Sequence, residues 1–472
     1  MSAGPVDIAI VGAGTAGLAA LREVRRHTDN FVLINDGPYG TTCARVGCMP
    51  SKALIAAANA FHARVRLSEF GIEGGEHLRA DIPRVLHRVR MLRDHFVKGV
   101  LRSTDDLGER SMAGRARLDG PNTLIVNGQR IEARRIILAP GSSPIVPKAW
   151  RSLGDRILTS DSLFEQEDLP ARIGVIGLGA IGVEIAQALS RLGIEVHAFD
   201  AGDTIASMVD EKVGTLLREV LGREFPISLG AEVDMAAVDS GIRISWGEQS
   251  IEVEKAVVAV GRAPNVDGLG LETLGIALDD KGLPDVDPTT MRMGNTSVYL
   301  VGDANADRPL LHEAADEGHI ASINAINDGP IHLNRRTPIS IVFCDPGVAN
   351  IGEPLKNLDP AETLVGEVSF ANQGRARIMQ KNAGLLRLYG CRREGRLLGA
   401  AMAAPAAEHL AHLIALAVGN NLTVYDLLRM PFYHPTLEEG FRSALRAIAR
   451  SLPPCGISDL AGCVSLQAEA LE

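Results

Sequence analysis

The sequence predicts an α/β fold in which two Rossmann-like dinucleotide-binding domains are joined to a smaller α+β domain. Three observations predict it. VDIAIVGAGTAGLAALREV (Val6–Val24) runs from an apolar strand through closely spaced glycines into a helical pattern. ARIGVIGLGAIGVEIAQALSRLGIEVHAFD (Ala171–Asp200) repeats the whole pattern. In the last third of the chain, strand-like GLLRLYG and RLLGAAMAA precede a long helical run, AAEHLAHLIALAVG. At roughly 100 to 200 residues per domain, 472 residues hold two to four such units.

The glycines carry the first argument. Gly12 permits a tight turn, Gly14 lets backbone approach a pyrophosphate, and Gly17 lets helix and strand pack closely while the helix N-terminus faces the anion. Gly177, Gly179 and Gly182 repeat this spacing in the same strand–turn–helix context, so two dinucleotide sites are expected. An acidic residue ending the second strand of such a unit accepts ribose hydroxyls. In the second unit this is Asp200, and HAFDAGDT around it offers no arginine pair for a 2′-phosphate, which favours NAD over NADP. The same offset in the first unit reaches Asn35, with Asp36 beside it, and either could serve.

Composition narrows the partners. A net charge of −10 argues against nucleic acid. No apolar run reaches the roughly 18 residues of a membrane-spanning helix, and no basic leader precedes the first strand, so a soluble cytoplasmic protein is expected. Six cysteines are too sparse for a disulfide framework and suit a reducing compartment.

Two short segments carry reactive side chains. In TTCARVGCMPSKALIAAANAF, four residues separate Cys43 from Cys48, and Pro50 reads as a first-turn proline of an Ala-rich helix. Cys48 then lies at a helix N-terminus, where the dipole stabilises a thiolate. The pair reads either as a small-loop disulfide, with Gly47 easing the backbone, or as two reduced cysteines packed at a helix start. In YHPTLEEG, His434 and Glu439 are five residues apart before a helical EGFRSALRAIA. Standing alone, a histidine before a proline with a downstream glutamate reads as a surface loop.

Cys43–Lys52 (CARVGCMPSK) resembles the redox motif of the pyridine nucleotide-disulfide oxidoreductases. ILAPGSSP (Ile137–Pro144), AVVAVGRAPN (Ala256–Asn265), TSVYLVGDA (Thr296–Ala304) and YHPTLEEG (Tyr433–Gly440) extend the resemblance, in order, along most of the chain. Within the family the pattern is most similar to the dihydrolipoamide dehydrogenases. The resemblance implies FAD at Gly12, Gly14, Gly17, Asn35 or Asp36, Lys52, Ala116, Gly141, Asp303 and Leu311. It implies NAD at Gly177, Gly179, Gly182, Glu184, Asp200, Val233 and Gly261, with Lys52 and Glu184 also matching an ion pair beside the flavin. Cys43 and Cys48 become the redox disulfide, His434 the base, and Glu439 its partner.

The implied domains are FAD 1–148, NAD 149–268, FAD again 269–335, a dimer-interface domain 336–450 and a tail 451–472. The implied protein is a homodimer that oxidises dihydrolipoyl groups on a carrier protein. Thr41, Ala44, Arg45, Pro140 and Met430–Tyr433 depart from the family pattern, and Arg45 and Tyr433 adjoin the reacting groups, so a specialised lipoyl carrier is one expectation. Glutathione, thioredoxin or mercuric reduction and a non-catalytic flavoprotein subunit are the alternatives. Cys455 and Cys463 read as incidental thiols or as a thioredoxin-type shuttle.

Overall fold

The computed structural model describes residues 4–452. Tail residues 453–472, with Cys455 and Cys463, lie outside the described residues.

Val6–Val11 and Phe31–Asn35 are runs of apolar residues, and they pair in parallel, Ile8 with Phe31 through Val11 with Ile34. Successive side chains in a strand point to opposite faces. Ile8, Ile10 and Leu33 accordingly pack with Leu18, Leu21 and Val24 of the Thr15–Val24 helix, while Ala9, Val11, Val32 and Ile34 bury the other face. Burial on both faces explains why these strands show apolar runs instead of alternation. The sheet is seven-stranded. Ser111–Ala113, Phe31–Asn35, Val6–Val11, Gln129–Leu138 and Val298–Leu300 run parallel, and Thr123–Val126 with Ala116–Leu118 extends it antiparallel. The chain leaves this sheet after Leu138 and returns to it at Val298.

Between those points lies the second unit. Ile227–Ser228, Glu195–Phe199, Arg172–Ile176, Lys255–Val258 and Ile157–Leu158 form a five-stranded parallel sheet in that order. Three antiparallel strands, Asp234–Val238, Gly241–Trp246 and Gln249–Val253, pack beside it. The antiparallel pair Ser142–Pro144 and Arg262–Pro264 joins the outgoing and returning connections.

The last unit is a five-stranded antiparallel sheet ordered Ile339–Val342, Gly347–Gly352, Leu397–Ala404, Leu385–Cys391 and Thr363–Ser369. The Leu397–Ala404 strand is rich in alanine, and small side chains let the Ala407–Gly419 helix approach one face and Glu211–Leu221 the other. The Glu438–Ala449 helix, with Phe441, Ala444, Leu445 and Ile448 buried, covers the Thr363–Ser369 side.

No helix among the described residues is long and apolar enough to cross a membrane.

Candidate active site

The redox loop is shaped by backbone constraints. Thr41 has φ +60° and ψ 150°, and its hydroxyl accepts the Ala44 N–H to cap the short Thr42–Arg45 helix. Gly47 then starts the 15-residue Cys48–His62 helix. A Cβ at Gly47 would stand 3.1 Å from the Thr42 carbonyl oxygen and 3.3 Å from the Cys43 Cα. Glycine there lets Cys48 fold back against Cys43, and both stand as free thiols.

The two thiols are inequivalent. Cys48 occupies the first helical position, and its pKa is lowered to about 6, foremost by a hydrogen bond with the Cys43 sulfur, with burial opposing and the Lys52 charge assisting. Cys43 is pushed far up by that same hydrogen bond and by burial. When the pair is reduced, the negative charge therefore rests on Cys48. Lys52, one helical turn along, donates to both Glu184 oxygens at 3.0 and 2.7 Å. Glu184 also accepts the Phe343 N–H at 2.9 Å, and the Phe343 ring lies 4.7 Å from the Lys52 ammonium. Three parts of the chain thus meet at one ion pair. Sequence reasoning found Lys52 and Glu184 but missed Phe343, whose contact with Glu184 spans 159 positions and leaves no local pattern.

The first glycine turn fits a dinucleotide. Gly12 has φ +102°, and a Cβ on it would fall 2.1 Å from the Ala139 oxygen; one on Gly17 would fall 1.9 Å from the Gly12 oxygen. Gly14 and Gly141 face open space, and no side chain caps the Thr15–Val24 helix, so its first N–H groups remain available to phosphate oxygens. Asn35 ends its strand and accepts the Ala13 N–H at 3.0 Å while donating to the Gly37 oxygen at 2.9 Å. Asp36 sits beyond the strand, exposed. Ala116 is buried in its strand, and Leu311 begins the Leu311–Ile326 helix. Asp303 accepts the Ser142 hydroxyl at 2.6 Å, and Ser142 Oγ in turn accepts Arg262 Nε at 2.8 Å. Arg262 and Ser142 were not singled out by sequence reasoning, although both fall inside motifs it used.

The second turn repeats the first. Gly177 and Gly182 are held against backbone at 2.4 and 1.7 Å by the same test, whereas Gly179 meets nothing nearer than Ser207 Oγ at 4.0 Å. Asp200 accepts the Leu178 N–H at 2.5 Å and the Gly202 N–H at 2.8 Å, the counterpart of Asn35. Val233 is half-buried, and Gly261 has φ +132° beside Ile145.

His434 stands apart from these groups. Its Nδ1 lies 3.0 Å from Glu439 Oε2 and 3.2 Å from Oε1, while the ring is 80% exposed. Burial works against ionisation of Glu439, yet hydrogen bonds from His434 and the Thr436 N–H hold its carboxyl below the usual range. Gln373 donates to the Thr436 oxygen at 2.6 Å and steadies the turn, a contact no sequence signal announced. Among the described residues no hydrogen bond joins His434 to either cysteine within the chain.

Residues 6–318 match the family described as pyridine nucleotide-disulphide oxidoreductase, and residues 339–445 match its dimerisation domain. The chain belongs to this family. A dihydrolipoyl dehydrogenase of Thermus scotoductus is 30% identical over 94% of this chain and 97% of its own length. A mercuric reductase of Shigella flexneri is also 30% identical, over 96% and 82%. Among solved structures, LpdA from Mycobacterium tuberculosis superposes with a TM-score of 0.81 at 26% identity, covering 93% of this chain and 98% of that one. The Cu(II) complex of the HOCl-induced flavoprotein disulfide reductase RclA from Escherichia coli has the same fold, with TM-score 0.81 at 20% identity, covering 94% and 99%. As a pyridine nucleotide-disulphide oxidoreductase the protein is a flavin enzyme that uses FAD and NAD(P), and its dimerisation domain fits a homodimer.

Proposed function

We propose that the enzyme oxidises protein-bound dihydrolipoyl groups and reduces NAD+. The observation that carries the reading is the division of labour between the two thiols, with Cys48 held as thiolate foremost by its hydrogen bond with Cys43 and next by the Lys52 charge, while Cys43 keeps its proton. Such a pair makes Cys48 the better leaving group when Cys43 is attacked, since a low-pKa thiol leaves faster.

His434 donates from Nδ1 to Glu439, which leaves Nε2 as the base. It takes a proton from one substrate thiol, and that sulfur attacks Cys43. The Cys43–Cys48 bond breaks, and its electron pair goes to Cys48. The second substrate thiol then displaces Cys43, so the substrate dithiol becomes a disulfide and the enzyme disulfide becomes a dithiol. The Gly12–Gly17 turn, Lys52 and Asp303 would hold FAD, which when bound would supply two-electron chemistry between this dithiol and the nicotinamide. Lys52 and Glu184 fix the charge beside Cys48, and Asp200 selects a ribose without a 2′-phosphate. His434 is exposed and unconnected to the cysteines of its own chain, which supports a site completed across the homodimer, one chain giving the cysteines and the other the base.

A turnover panel of lipoamide, glutathione disulfide, thioredoxin and Hg²⁺ with NADH and NADPH tests the reading. Lipoamide with NADH should dominate. Faster turnover of any other acceptor overturns it.

A further inference from the structure

The 20-residue Ile82–Leu101 helix carries an unusual face. Arg84, Arg88, Met91, His95 and Lys98, with Arg102 at the C-cap, recur at spacings of four and three residues, so they share one stripe. All six are exposed, whereas Leu86 and Val89 on the opposite side are buried. The stripe contains no carboxylate. Asp94, at its edge, is taken by Arg93 at 2.7 Å. Among the described residues no carboxylate lies within ion-pair distance of Arg84, Arg88, Lys98 or Arg102; the one side-chain bond here runs from Arg88 to the Ala53 oxygen at 3.4 Å. Four unneutralised cations in line on a protein of net charge −10 form a concentrated positive field.

The helix that carries the stripe packs on the redox centre through its opposite face, Leu86 and Val89 lying with Ala53, Leu54 and Ala58 of the Cys48–His62 helix. The Arg88–Ala53 contact sets the level of this helix against the Cys48–His62 helix. Cys48 is five residues before Ala53, about 7.5 Å at 1.5 Å per residue, which places it near the middle of a stripe about 27 Å long. At the far end Val97, on the same face as Leu86 and so turned away from the stripe, packs on the redox loop itself. A Cβ at Gly40 would meet Val97 Cγ1 at 2.9 Å and Arg45 Cγ and Cδ at 3.2 Å.

We propose that this basic stripe is the docking surface for an acidic, lipoyl-bearing carrier domain, which it holds while the lipoyl arm reaches Cys43; the proposal rests on the function proposed above. Complementary charge steers encounter and fixes orientation, and its effect fades with ionic strength.

The test uses the full-length holoenzyme with Arg84→Gln, Lys98→Gln and Arg102→Gln combined. Turnover with NAD+ is measured on two probes, free dihydrolipoamide and a reduced lipoylated domain of strongly acidic surface. Free dihydrolipoamide should turn over as in wild type, which also reports an intact fold. KM for the acidic domain should rise about tenfold, and the fall of wild-type kcat/KM between roughly 20 and 200 mM salt should flatten. An unchanged KM for the domain, with wild type active on both probes, overturns the docking surface alone. A triple variant that sediments as a monomer overturns it in favour of a contact between two copies of the chain. A wild type inactive on both probes overturns the proposed function, and the docking of a lipoyl carrier with it.

Discussion

Replacing Glu439 with Gln measures how far the base is removed from water. Glu439 lies 3.0 Å from His434 Nδ1 and stabilises the imidazolium that forms when the base takes a proton. In the isolated chain the ring is 80% exposed. A pair so wetted contributes about 1 kcal/mol or less, so its loss would slow proton transfer about fivefold at most. If the same pair is covered by a partner subunit, an effective dielectric near 20 raises the interaction to about 4 kcal/mol, or about a thousandfold in rate. The shared site therefore predicts that Glu439→Gln lowers kcat/KM for dihydrolipoamide by roughly 100- to 1000-fold, while reduction of the enzyme by NADH, which needs no base at His434, changes little. Anaerobic stopped-flow measurement of the two half-reactions separates them. A loss of fivefold or less in the dithiol half-reaction, in a variant that is still a dimer, would refute the argument that a second chain covers His434.

Other expectations follow from the same geometry. Co-expressed Cys43→Ala and His434→Ala chains should form mixed dimers with one intact site in two, and random mixing should restore about a quarter of wild-type activity; mixed dimers no more active than the parents would sink the composite site. The carboxylate of Asp200 should favour NAD over NADP by at least about tenfold, or about 1.4 kcal/mol, in kcat/KM, and equal efficiencies would contradict it. In the reduced enzyme the Cys48 thiolate, with its lowered pKa, should persist above about pH 6 and be lost on acidification through that value, read as a long-wavelength absorbance band with oxidised flavin. Lys52→Met should move that titration upward, and an unmoved curve would deny Lys52 its part.

The parts of the fold legible in sequence are those where one residue type alone satisfies a backbone constraint. Gly12, Gly17, Gly177 and Gly182 lie so close to backbone that any Cβ would collide, and their spacing announced two nucleotide turns. Counting offsets could not choose between Asn35 and Asp36; in the structure Asn35 ends the strand and accepts the Ala13 N–H as Asp200 accepts the Leu178 N–H in the second unit, while Asp36 lies beyond the strand. Phe343 and Gln373 were illegible for another reason. Each acts on a group distant in sequence, through a backbone N–H to Glu184 or an amide to the Thr436 oxygen, and such pairing has no period or motif. The Ile82–Leu101 helix was not singled out although Ile82, Val85, Leu86, Val89, Leu92, Phe96, Val97 and Val100 recur at helical spacing, because it carries no motif residue of the nucleotide or redox sites.

Thr41 has a further consequence for how the loop can vary. Its φ of +60° with ψ 150° lies where glycine is at ease and a β-branched side chain costs about 1 to 3 kcal/mol. Its hydroxyl, however, caps the Thr42–Arg45 helix, a contact that contributes about 0.5 to 2 kcal/mol and that glycine could not make. The two effects oppose each other at similar size. Over many generations a codon at this position can drift between threonine and glycine with little penalty in thermal tolerance, so the threonine beside the redox cysteines is poor evidence that selection has retuned the enzyme for a new substrate.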